Sequence, residues 1–274
     1  MLWGEDKYFE DLKDKVNNSV AFDCQQYKDS YLKRRFAIRM RSNNVTSYRD
    51  YMKLLDYNQK EYEQLLDTLT VNVTEFMRDT QVYDAFSNVL RDLATTKKRE
   101  GDKTIKIWSA GCSSGEEPYS IAILIKKVLG VMHSDVVTQI IATDIDDGSL
   151  DKARAGLYKQ DALKNMKENE IRMYFTKEED LYRVNNNLKR MIRFKKHDLI
   201  REREIGYCDV IFCRNVVIYF SREQQNELYM KFYKGLKDGG YFIAGKSETL
   251  VGESATLLKT INAREKLYQK NYSK

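Results

Sequence analysis

Residues 104–118, TIKIWSAGCSSGEEP, decide the fold of the larger part of this 274-residue chain. The run Thr104–Ser109 is short, apolar and β-rich, which predicts a buried strand. It leads into a turn of small residues, Ser109–Gly115, and then into a helical pattern. Pro118 suits the first turn of that helix, because its missing N–H is not needed there. Since small residues let a backbone approach a ligand closely, the stretch predicts a nucleotide-type cradle.

Beyond this stretch, apolar strands alternate with helices. The sequence predicts strands at 138–143, 191–195, 209–213 and 240–244, and helices at 117–129, 147–155 and 222–237. Such alternation is typical of an α/β fold with a mostly parallel sheet, helices on both faces, and a ligand beyond the carboxyl ends of the strands. Arg264–Lys270 is predicted to add an antiparallel edge strand. Residues from about 157 to 190 fit the alternation poorly and predict a small β-subdomain insertion, with a hairpin within 180–188.

The distribution of glycine divides the chain. Of 13 glycines, 12 lie at or beyond Gly101, and Pro118 is the only proline. Apart from Gly4, the stretch before Gly101 lacks both helix breakers and spaces its apolar residues as packed helices do. We therefore predict a small all-helical domain with its linker at 1–85 and the α/β domain at 86–274. Thr46 or Ser47 is expected to cap a helix after a break near Asn43.

Composition limits the function classes. Lys and Arg exceed Asp and Glu by 47 to 41, so the formal charge of +6 mildly favours acidic partners. No apolar run approaches the roughly 20 residues that cross a bilayer, and a cytoplasmic protein is expected. Four widely separated cysteines and two histidines predict neither a metal site nor a disulfide framework.

The residues of the turn indicate a particular ligand. A phosphate-binding loop would continue with Gly-Lys-Ser/Thr, but here Glu116 and Glu117 follow, which repel a triphosphate and favour a cation. Asp144 ends the second predicted strand, where an acid can accept hydrogen bonds from both ribose hydroxyls. Both features fit S-adenosylmethionine, which carries a ribose and a sulfonium but no phosphate. In the alternative interpretation, Asp144 caps the next helix and residues 109–115 form only a tight turn.

Several motifs, taken in order, resemble the chemotaxis-receptor glutamate methyltransferases, the CheR family. The motifs are residues 72–78 (NVTEFMR), 108–110 with 115–120 (WSA, GEEPYS), 142–146 (ATDID), 212–220 (FCRNVVIYF) and 245–248 (GKSE). The resemblance implies a class I, Rossmann-like methyltransferase domain behind a small helical domain. It also implies S-adenosylmethionine as cofactor, S-adenosylhomocysteine as product, and glutamate side chains of chemoreceptors as substrate.

Roles follow from the resemblance position by position. The cofactor-binding residues that it implies are Asn72, Thr74, Arg78, Gly111, Glu117, Asp144, Asp198, Leu199, Arg214 and Asn215. Glu117 would hold the amino acid end, Asp144 the ribose and Asp198–Leu199 the adenine, although many relatives carry Asn where this chain has Asp198. Arg78 and Tyr219 are the candidates for orienting the acceptor carboxylate, so they are the predicted catalytic residues.

The stretch 30–49 contains six basic residues and no acid. On a helix, Leu32, Phe36 and Met40 form the buried stripe, with Arg35 and Arg39 at its flanks. The resemblance favours docking of the acidic methylation helices of a receptor, through Arg35, Arg39 and Arg41. It also suggests a monomer that is recruited to receptor arrays without entering the membrane. Because residues 175–181 are short and lack glycine, the chain is predicted to be of the kind that needs no receptor pentapeptide.

Two other functions remain open from the sequence. A nucleic-acid methyltransferase would share the cofactor fold and suit a basic chain. However, residues 213–216 (CRNV) contain neither the Pro-Pro motif of amino-group methylation nor a Pro-Cys nucleophile. A regulatory module that binds the cofactor without catalysis is the other alternative, and incorporation of labelled methyl groups into receptor glutamates would distinguish it from an enzyme.

Overall fold

The computed structural model describes residues 2–19, 22–70, 74–130 and 136–272, and the chain forms two compact units. The smaller, helical unit is Met1–Asn72 with Tyr219–Gln224. The larger, sheet unit is Val73–Ile218 with Gln225–Lys274. Within the described ranges, no helix has both the length and the apolar content that crossing a bilayer requires.

The helical unit is built from four helices around its own core. They are α1 (Leu2–Ser19), α2 (Asp29–Ser42), α3 (Tyr48–Tyr57) and α4 (Gln59–Leu69). The predicted stripe of Leu32, Phe36 and Met40 is buried in this core. The Ser47 side chain accepts a hydrogen bond from the backbone N–H of Asp50 at 3.1 Å and so caps α3. The all-helical character of this part of the chain is confirmed.

A seven-stranded sheet organises the larger unit, and the predicted α/β class is confirmed. Its strands are β1 (Thr104–Ala110), β2 (Val137–Asp144), β6 (Ile192–Lys196), β7 (Cys208–Cys213), β8 (Leu236–Ala244), β9 (Leu258–Asn262) and β10 (Leu267–Lys270). The other strands among the described residues are β3 (Leu157–Lys159), β4 (Phe175–Glu178) and β5 (Leu181–Val184). The remaining helices of four or more residues are α5 (Thr80–Glu100), α6 (Glu116–Leu129), α7 (Asp147–Ala155), α8 (Glu168–Tyr174), α9 (Asn186–Lys189), α10 (Arg222–Gly235) and α11 (Ser254–Leu257).

The strand order β6-β2-β1-β7-β8-β10-β9 reverses direction at β1. The pairings from β6 through β8 are parallel, and Ala110 is in register with Thr143. Asp144 is in register with Lys196 on one side, and Cys213 with Ala244 on the other. The loops after β1, β2, β6 and β7 therefore all lie at the carboxyl ends of the parallel strands, which we call the carboxyl edge of the sheet. This is where α/β folds bind ligands, at the point at which the strand order reverses.

The antiparallel end of the sheet differs from the prediction. Leu267–Lys270 does form an antiparallel strand, but it lies between β8 and β9, and β9 is the edge strand. In β9 only Leu258 is buried, and the next three residues are exposed. A strand with one buried side chain has almost no hydrophobic pattern, so the sequence did not reveal it.

The predicted insertion at 157–190 is present as a three-stranded antiparallel sheet of order β3-β5-β4, together with α8 and α9. We call residues 157–190 the small β-subdomain. Its hairpin joins β4 to β5 through Glu179 and Asp180, so it lies earlier than the predicted 180–188. The sequence Asp180–Leu188 instead contains β5 and most of α9.

The division of the chain falls before α5, whereas the sequence predicted a boundary near residue 85. Helix α5 buries Val82, Phe86 and Leu90 in the same core as Ile105 and Ile107 of β1. Glycine becomes frequent only from Gly101 onward, after α5. The change in composition therefore comes one helix later in the chain than the boundary between the two packed units.

Candidate active site

The turn after β1 is fixed by backbone hydrogen bonds to the end of β2. The N–H groups of Gly111 and Cys112 both donate to the Thr143 carbonyl, at 2.8 and 2.9 Å. Gly111 has a φ of +74°, and a Cβ there would lie 2.5 Å from a methyl carbon of Val216. Glycine is therefore required at this position by close packing against the loop that follows β7.

Asp144 organises this turn at the end of β2. One carboxylate oxygen accepts the N–H of Ser113 at 2.7 Å, and the other accepts that of Asp146 at 3.0 Å. Asp146, not Asp144, caps α7, because its side chain accepts the Gly148 N–H at 2.9 Å. Burial raises the pKa of the Asp144 carboxyl. The helix-cap interpretation of Asp144 is wrong, and both of its oxygens retain a lone pair for a ligand.

Glu117 and Arg214 lie together beside the turn. Glu117 accepts a hydrogen bond from the Ser109 hydroxyl at 2.8 Å, and its other oxygen is 3.5 Å from the Arg214 guanidinium. Burial raises the pKa of the Glu117 carboxyl, and the positive charge of Arg214 opposes that rise. Arg214 is 6% exposed and also pairs with Asp79 at 2.8 Å. The edge of the sheet thus holds a carboxylate and a guanidinium within reach of one ligand.

The segment 74–79 crosses this edge in a strained conformation. Thr74 and Arg78 are half-buried, and the Arg78 carbonyl accepts a hydrogen bond from Arg214 at 2.9 Å. On either side of Arg78, Met77 and Asp79 have φ values of 52° and 56°. Left-handed backbone at residues other than glycine is unfavourable by about 1–3 kcal/mol each and persists where surrounding contacts impose it. The structure therefore fixes the backbone at Arg78 from both sides.

Strain of this kind is concentrated at the site. The described residues include eight non-glycine residues with positive φ. Four of them lie in the loops at the carboxyl edge of the sheet, namely Met77, Asp79, Ser113 and Asn215. Backbone strain clusters at ligand and catalytic sites in proteins generally, so its location independently indicates where function resides.

Glu248 holds the loop that follows β7. Its carboxylate is 2% exposed and accepts backbone N–H groups of four consecutive loop residues, at 2.8–3.4 Å. These residues are Asn215, Val216, Val217 and Ile218. A fifth N–H, that of Gly245, donates at 2.5 Å. Burial raises the pKa of the Glu248 carboxyl, and the backbone hydrogen bonds oppose that rise by stabilising the anion.

The loop after β6 is fixed by two side chains. Asp198 closes a turn by accepting the N–H groups of Ile200 and Arg201 at 2.8 and 3.1 Å. Lys231 of α10 donates to the carbonyls of Leu199 at 3.0 Å and of Glu202 at 2.9 Å. Asp198 and Leu199 are both half-buried at the same edge of the sheet as Asp144. Their predicted contact with adenine stays a prediction.

The remaining predicted residues are Asn72, Tyr219, Arg35, Arg39 and Arg41. Asn72 lies outside the described residues. Tyr219 belongs to the helical unit, where its ring packs against Tyr31 with centroids 4.9 Å apart. Arg35, on α2, lies over the same Tyr31 ring at 5.4 Å. The predicted catalytic pair, Arg78 and Tyr219, is therefore divided between the two units.

Arg39 is part of the helical unit's interior network. Its guanidinium donates to both carboxylate oxygens of Glu61, at 2.8 and 2.6 Å, and Glu61 is 2% exposed. The Tyr51 hydroxyl donates to the same carboxylate at 2.7 Å. Burial alone raises the pKa of Glu61, but the hydrogen bonds from Arg39 and Tyr51 outweigh it and hold the pKa below its usual range. The exposed cations of α2 are Lys33, Arg34 and Arg41.

We expect Arg39→Ala to lower the free energy of unfolding by about 3 kcal/mol, because it leaves the Glu61 carboxylate buried without its cation. Arg34→Ala, an exposed change on the same helix, should alter it by less than about 0.5 kcal/mol. A depressed pKa stabilises the fold at neutral pH and loses that effect as pH falls through the folded-state value. Urea denaturation should therefore show that the difference in free energy of unfolding between the wild type and Arg39→Ala becomes smaller in acid. Equal stability of Arg39→Ala and Arg34→Ala at pH 7 would contradict this role of Arg39.

The fold and the site together define a class of protein. A sheet whose order reverses at β1, a turn without a phosphate-binding lysine, and an acid ending β2 define a class I, Rossmann-like methyltransferase that uses S-adenosylmethionine. A family model for the CheR methyltransferase SAM-binding domain matches residues 72–267, and one for the CheR all-alpha domain matches residues 7–70. The chain belongs to the CheR methyltransferase family, and its cofactor is S-adenosylmethionine.

Curated relatives match along most of their length. The chemotaxis protein methyltransferase of Listeria innocua is 31% identical, over 90% of this chain and 92% of the relative. That of Borreliella burgdorferi is 32% identical over 86% of each chain. That of Escherichia coli K12 is 32% identical, over 89% of this chain and 84% of the relative.

The described residues fit S-adenosylmethionine. Two half-buried carboxylates, those of Glu117 and Asp144, suit its amino group and its ribose hydroxyls. The buried Nε of Arg214 has no hydrogen-bond partner among the described residues, as expected where a guanidinium awaits an anionic group such as the methionine carboxylate.

Sequence reasoning missed two residues that hold the site. Glu248 lies in the GKSE motif, which is part of the resemblance, but the resemblance implied no role for this residue. Lys231 falls within the helical pattern of α10, where a lysine predicts only a solvated face. The motif was the available signal for Glu248, whereas the sequence offers none for Lys231.

Proposed function

We propose that this methyltransferase esterifies glutamate side chains on the cytoplasmic helices of chemoreceptors, giving glutamyl methyl esters and S-adenosylhomocysteine for sensory adaptation. The observation that carries the proposal is the match of both units, helical and catalytic, to the CheR family. The relatives named above, which are chemotaxis protein methyltransferases, support the same substrate class.

The chemistry suits this site because the acceptor needs no general base. A glutamate has a pKa near 4.3, so it is a carboxylate nucleophile at neutral pH. S-adenosylmethionine would supply a methyl group bound to its sulfonium. One carboxylate oxygen of the acceptor would form a bond to the methyl carbon as the opposite C–S bond breaks, and the sulfur would leave as the neutral thioether of S-adenosylhomocysteine. The protein has to align the reacting atoms and exclude water, and alignment can contribute about 7–11 kcal/mol to lowering the barrier. Arg78 and Tyr219 are proposed to orient the acceptor carboxylate.

Tritiated S-adenosylmethionine tests the function directly. Incubation with a receptor cytoplasmic fragment should label the fragment, and mild base should release the label as methanol, because the product is an ester. A fragment whose methylation-site glutamates are replaced by alanine should remain unlabelled. Absence of label, while the folded protein still binds S-adenosylhomocysteine, would refute the substrate assignment. Label transferred to a nucleic acid instead would favour the other class of enzyme.

The basic surface of α2 is proposed to receive the acidic receptor helix, in a monomeric enzyme and without nucleic acid. Arg34 and Arg41 are both exposed and lie seven residues apart, which places them on one side of the helix about 10 Å apart along its axis. Arg35, half-buried beside Tyr31, lies next to Arg34. Arg39 is the weakest of the predicted docking residues, because its guanidinium is bound to Glu61.

Charge reversal tests this docking surface. We expect Arg34→Glu with Arg41→Glu to reduce receptor methylation at least about tenfold through a higher KM for the receptor, since like charges then face each other. Affinity for S-adenosylhomocysteine should stay unchanged. Lys60→Glu, an exposed reversal on α4, is the matched control. An unchanged rate in the double variant, or an equal loss in the control, would refute docking at α2.

We also propose that the small β-subdomain needs no receptor pentapeptide. Its β4–β5 hairpin turns through only two residues, and Glu179, with a φ of 51°, occupies the left-handed position where glycine is usual. So tight a turn supports the absence of a peptide-binding loop. Saturable binding of a receptor tail peptide in calorimetry would contradict this proposal.

A further inference from the structure

The small β-subdomain contacts two separate parts of the catalytic site. Tyr158, on β3, is 5% exposed, and its hydroxyl donates to the Ser114 carbonyl at 2.6 Å. Ser114 lies in the turn after β1. A Cβ on the neighbouring Gly115 would lie 3.1 Å from the same hydroxyl, so strand β3 packs directly against this turn.

The second contact is with the segment that carries Arg78. The backbone N–H of Phe76 donates to the Ala162 carbonyl at 3.0 Å, and the Phe76 carbonyl accepts from the Asn165 side chain at 3.3 Å. Both polar backbone groups of Phe76 are therefore bonded to the subdomain. Next to it, Glu75 forms an ion pair with Lys164 at 2.5 Å.

The ring of Phe76 anchors the same segment. It is fully buried and meets the ring of Tyr158 edge to face at 4.8 Å, and that of Phe175 at 5.1 Å. Such aromatic pairs contribute beyond the area they bury and favour one geometry. One residue further on, the N–H of Met77 donates to the Ser120 hydroxyl on α6 at 2.9 Å. These contacts impose the left-handed backbone that precedes Arg78.

We propose that Phe76 and Tyr158 are positioning residues for methyl transfer: through them the small β-subdomain holds the Arg78 segment and the cofactor turn in their reactive geometry. The proposal rests on the proposed function only for the role of Arg78. The physical basis of the proposal is the left-handed backbone on both sides of Arg78, which would relax to a more favourable conformation unless packing held it in place. Phe76 opposes it from the subdomain, and Tyr158 links that packing to the turn that binds the cofactor.

Three variants test the proposal with two readouts. Phe76→Leu should lower kcat for receptor methylation at least about tenfold while changing KM for S-adenosylmethionine less than about threefold, since it displaces Arg78 and leaves the turn in place. Tyr158→Phe should raise the Kd for S-adenosylhomocysteine in calorimetry about three- to tenfold, the usual effect of losing one buried hydrogen bond. Phe242→Leu makes the same change at another fully buried phenylalanine, in β8, and should change neither quantity.

The outcomes separate the possibilities. An equal loss of kcat in Phe76→Leu and Phe242→Leu would reduce Phe76 to an ordinary core residue and overturn its positioning role. An unchanged Kd in Tyr158→Phe would overturn the link to the cofactor turn. If Phe76→Leu does not fold, Asn165→Ala, which removes one bond to the Phe76 carbonyl, should still lower kcat about threefold. If the wild-type enzyme labels no receptor, the proposed function fails, but the calorimetric comparison of Tyr158→Phe with the wild type still decides the contact with the turn.

Discussion

Replacement of Arg78 by alanine is expected to reduce kcat for receptor methylation by about 100-fold at saturating cofactor. The backbone of Arg78 is fixed by strained neighbours and by a hydrogen bond from Arg214 to its carbonyl. Burial raises the pKa of the Glu117 carboxyl, and the positive charges of Arg214 and Arg78 oppose that rise, as expected of cations near this carboxylate. A guanidinium at this place can pair with a carboxylate through two hydrogen bonds and so orient the acceptor. Its loss leaves the acceptor ionised but misaligned.

Single-turnover methylation with tritiated cofactor measures this effect. Arg78→Lys keeps the charge without the planar fork, so we expect a rate between those of the alanine variant and the wild type. Arg91→Ala removes an exposed arginine from α5 and serves as the control. Turnover near the wild-type rate in Arg78→Ala, with the cofactor site saturated, would exclude a positioning role for this side chain.

At this site, the sequence correctly placed those residues whose position depends only on the strand just before them. The turn 109–115 and Asp144 follow directly from strands with strong apolar patterns, and the parallel register of β1 and β2 then places them together. The register also explains why the residues after β6 and β7 reach the same edge. The hydrophobic pattern of the strands and the topology of the sheet are sufficient to place side chains that immediately follow buried strands.

Side chains that act over long sequence distances were not predictable in this way. Glu248 bonds loop residues that precede it by 30–33 positions, and Lys231 bonds carbonyls 29–32 positions away. Nothing in the pattern of α10 distinguishes a lysine that binds carbonyls from one that faces water. The ion pair of Arg39 was not predictable for a related reason: helical periodicity places Arg39 beside the buried stripe but does not reveal that Glu61 of α4 lies opposite.

The second large effect is expected at Glu248. Glu248→Gln retains the shape of the side chain but removes its charge and turns an NH₂ group toward some of the backbone N–H groups that now donate to the carboxylate. Hydrogen bonds to a charged acceptor contribute about 1.5–3 kcal/mol each, and a buried unsatisfied donor is unfavourable by about 1–3 kcal/mol. We expect a loss of about 3 kcal/mol in the free energy of unfolding, after partial rearrangement of the loop.

Because the same loop carries Arg214 and Asn215, the substitution should also weaken cofactor binding. Calorimetry with S-adenosylhomocysteine should show a Kd at least about tenfold higher at a temperature where the variant is still folded. Glu253→Gln, an exposed change five residues later, should leave both stability and Kd unchanged. If Glu248→Gln lost stability but bound the product with wild-type affinity, the carboxylate would support the fold alone. The loop after β7 would then reach its binding conformation without Glu248, through the close packing of Val216 against Gly111.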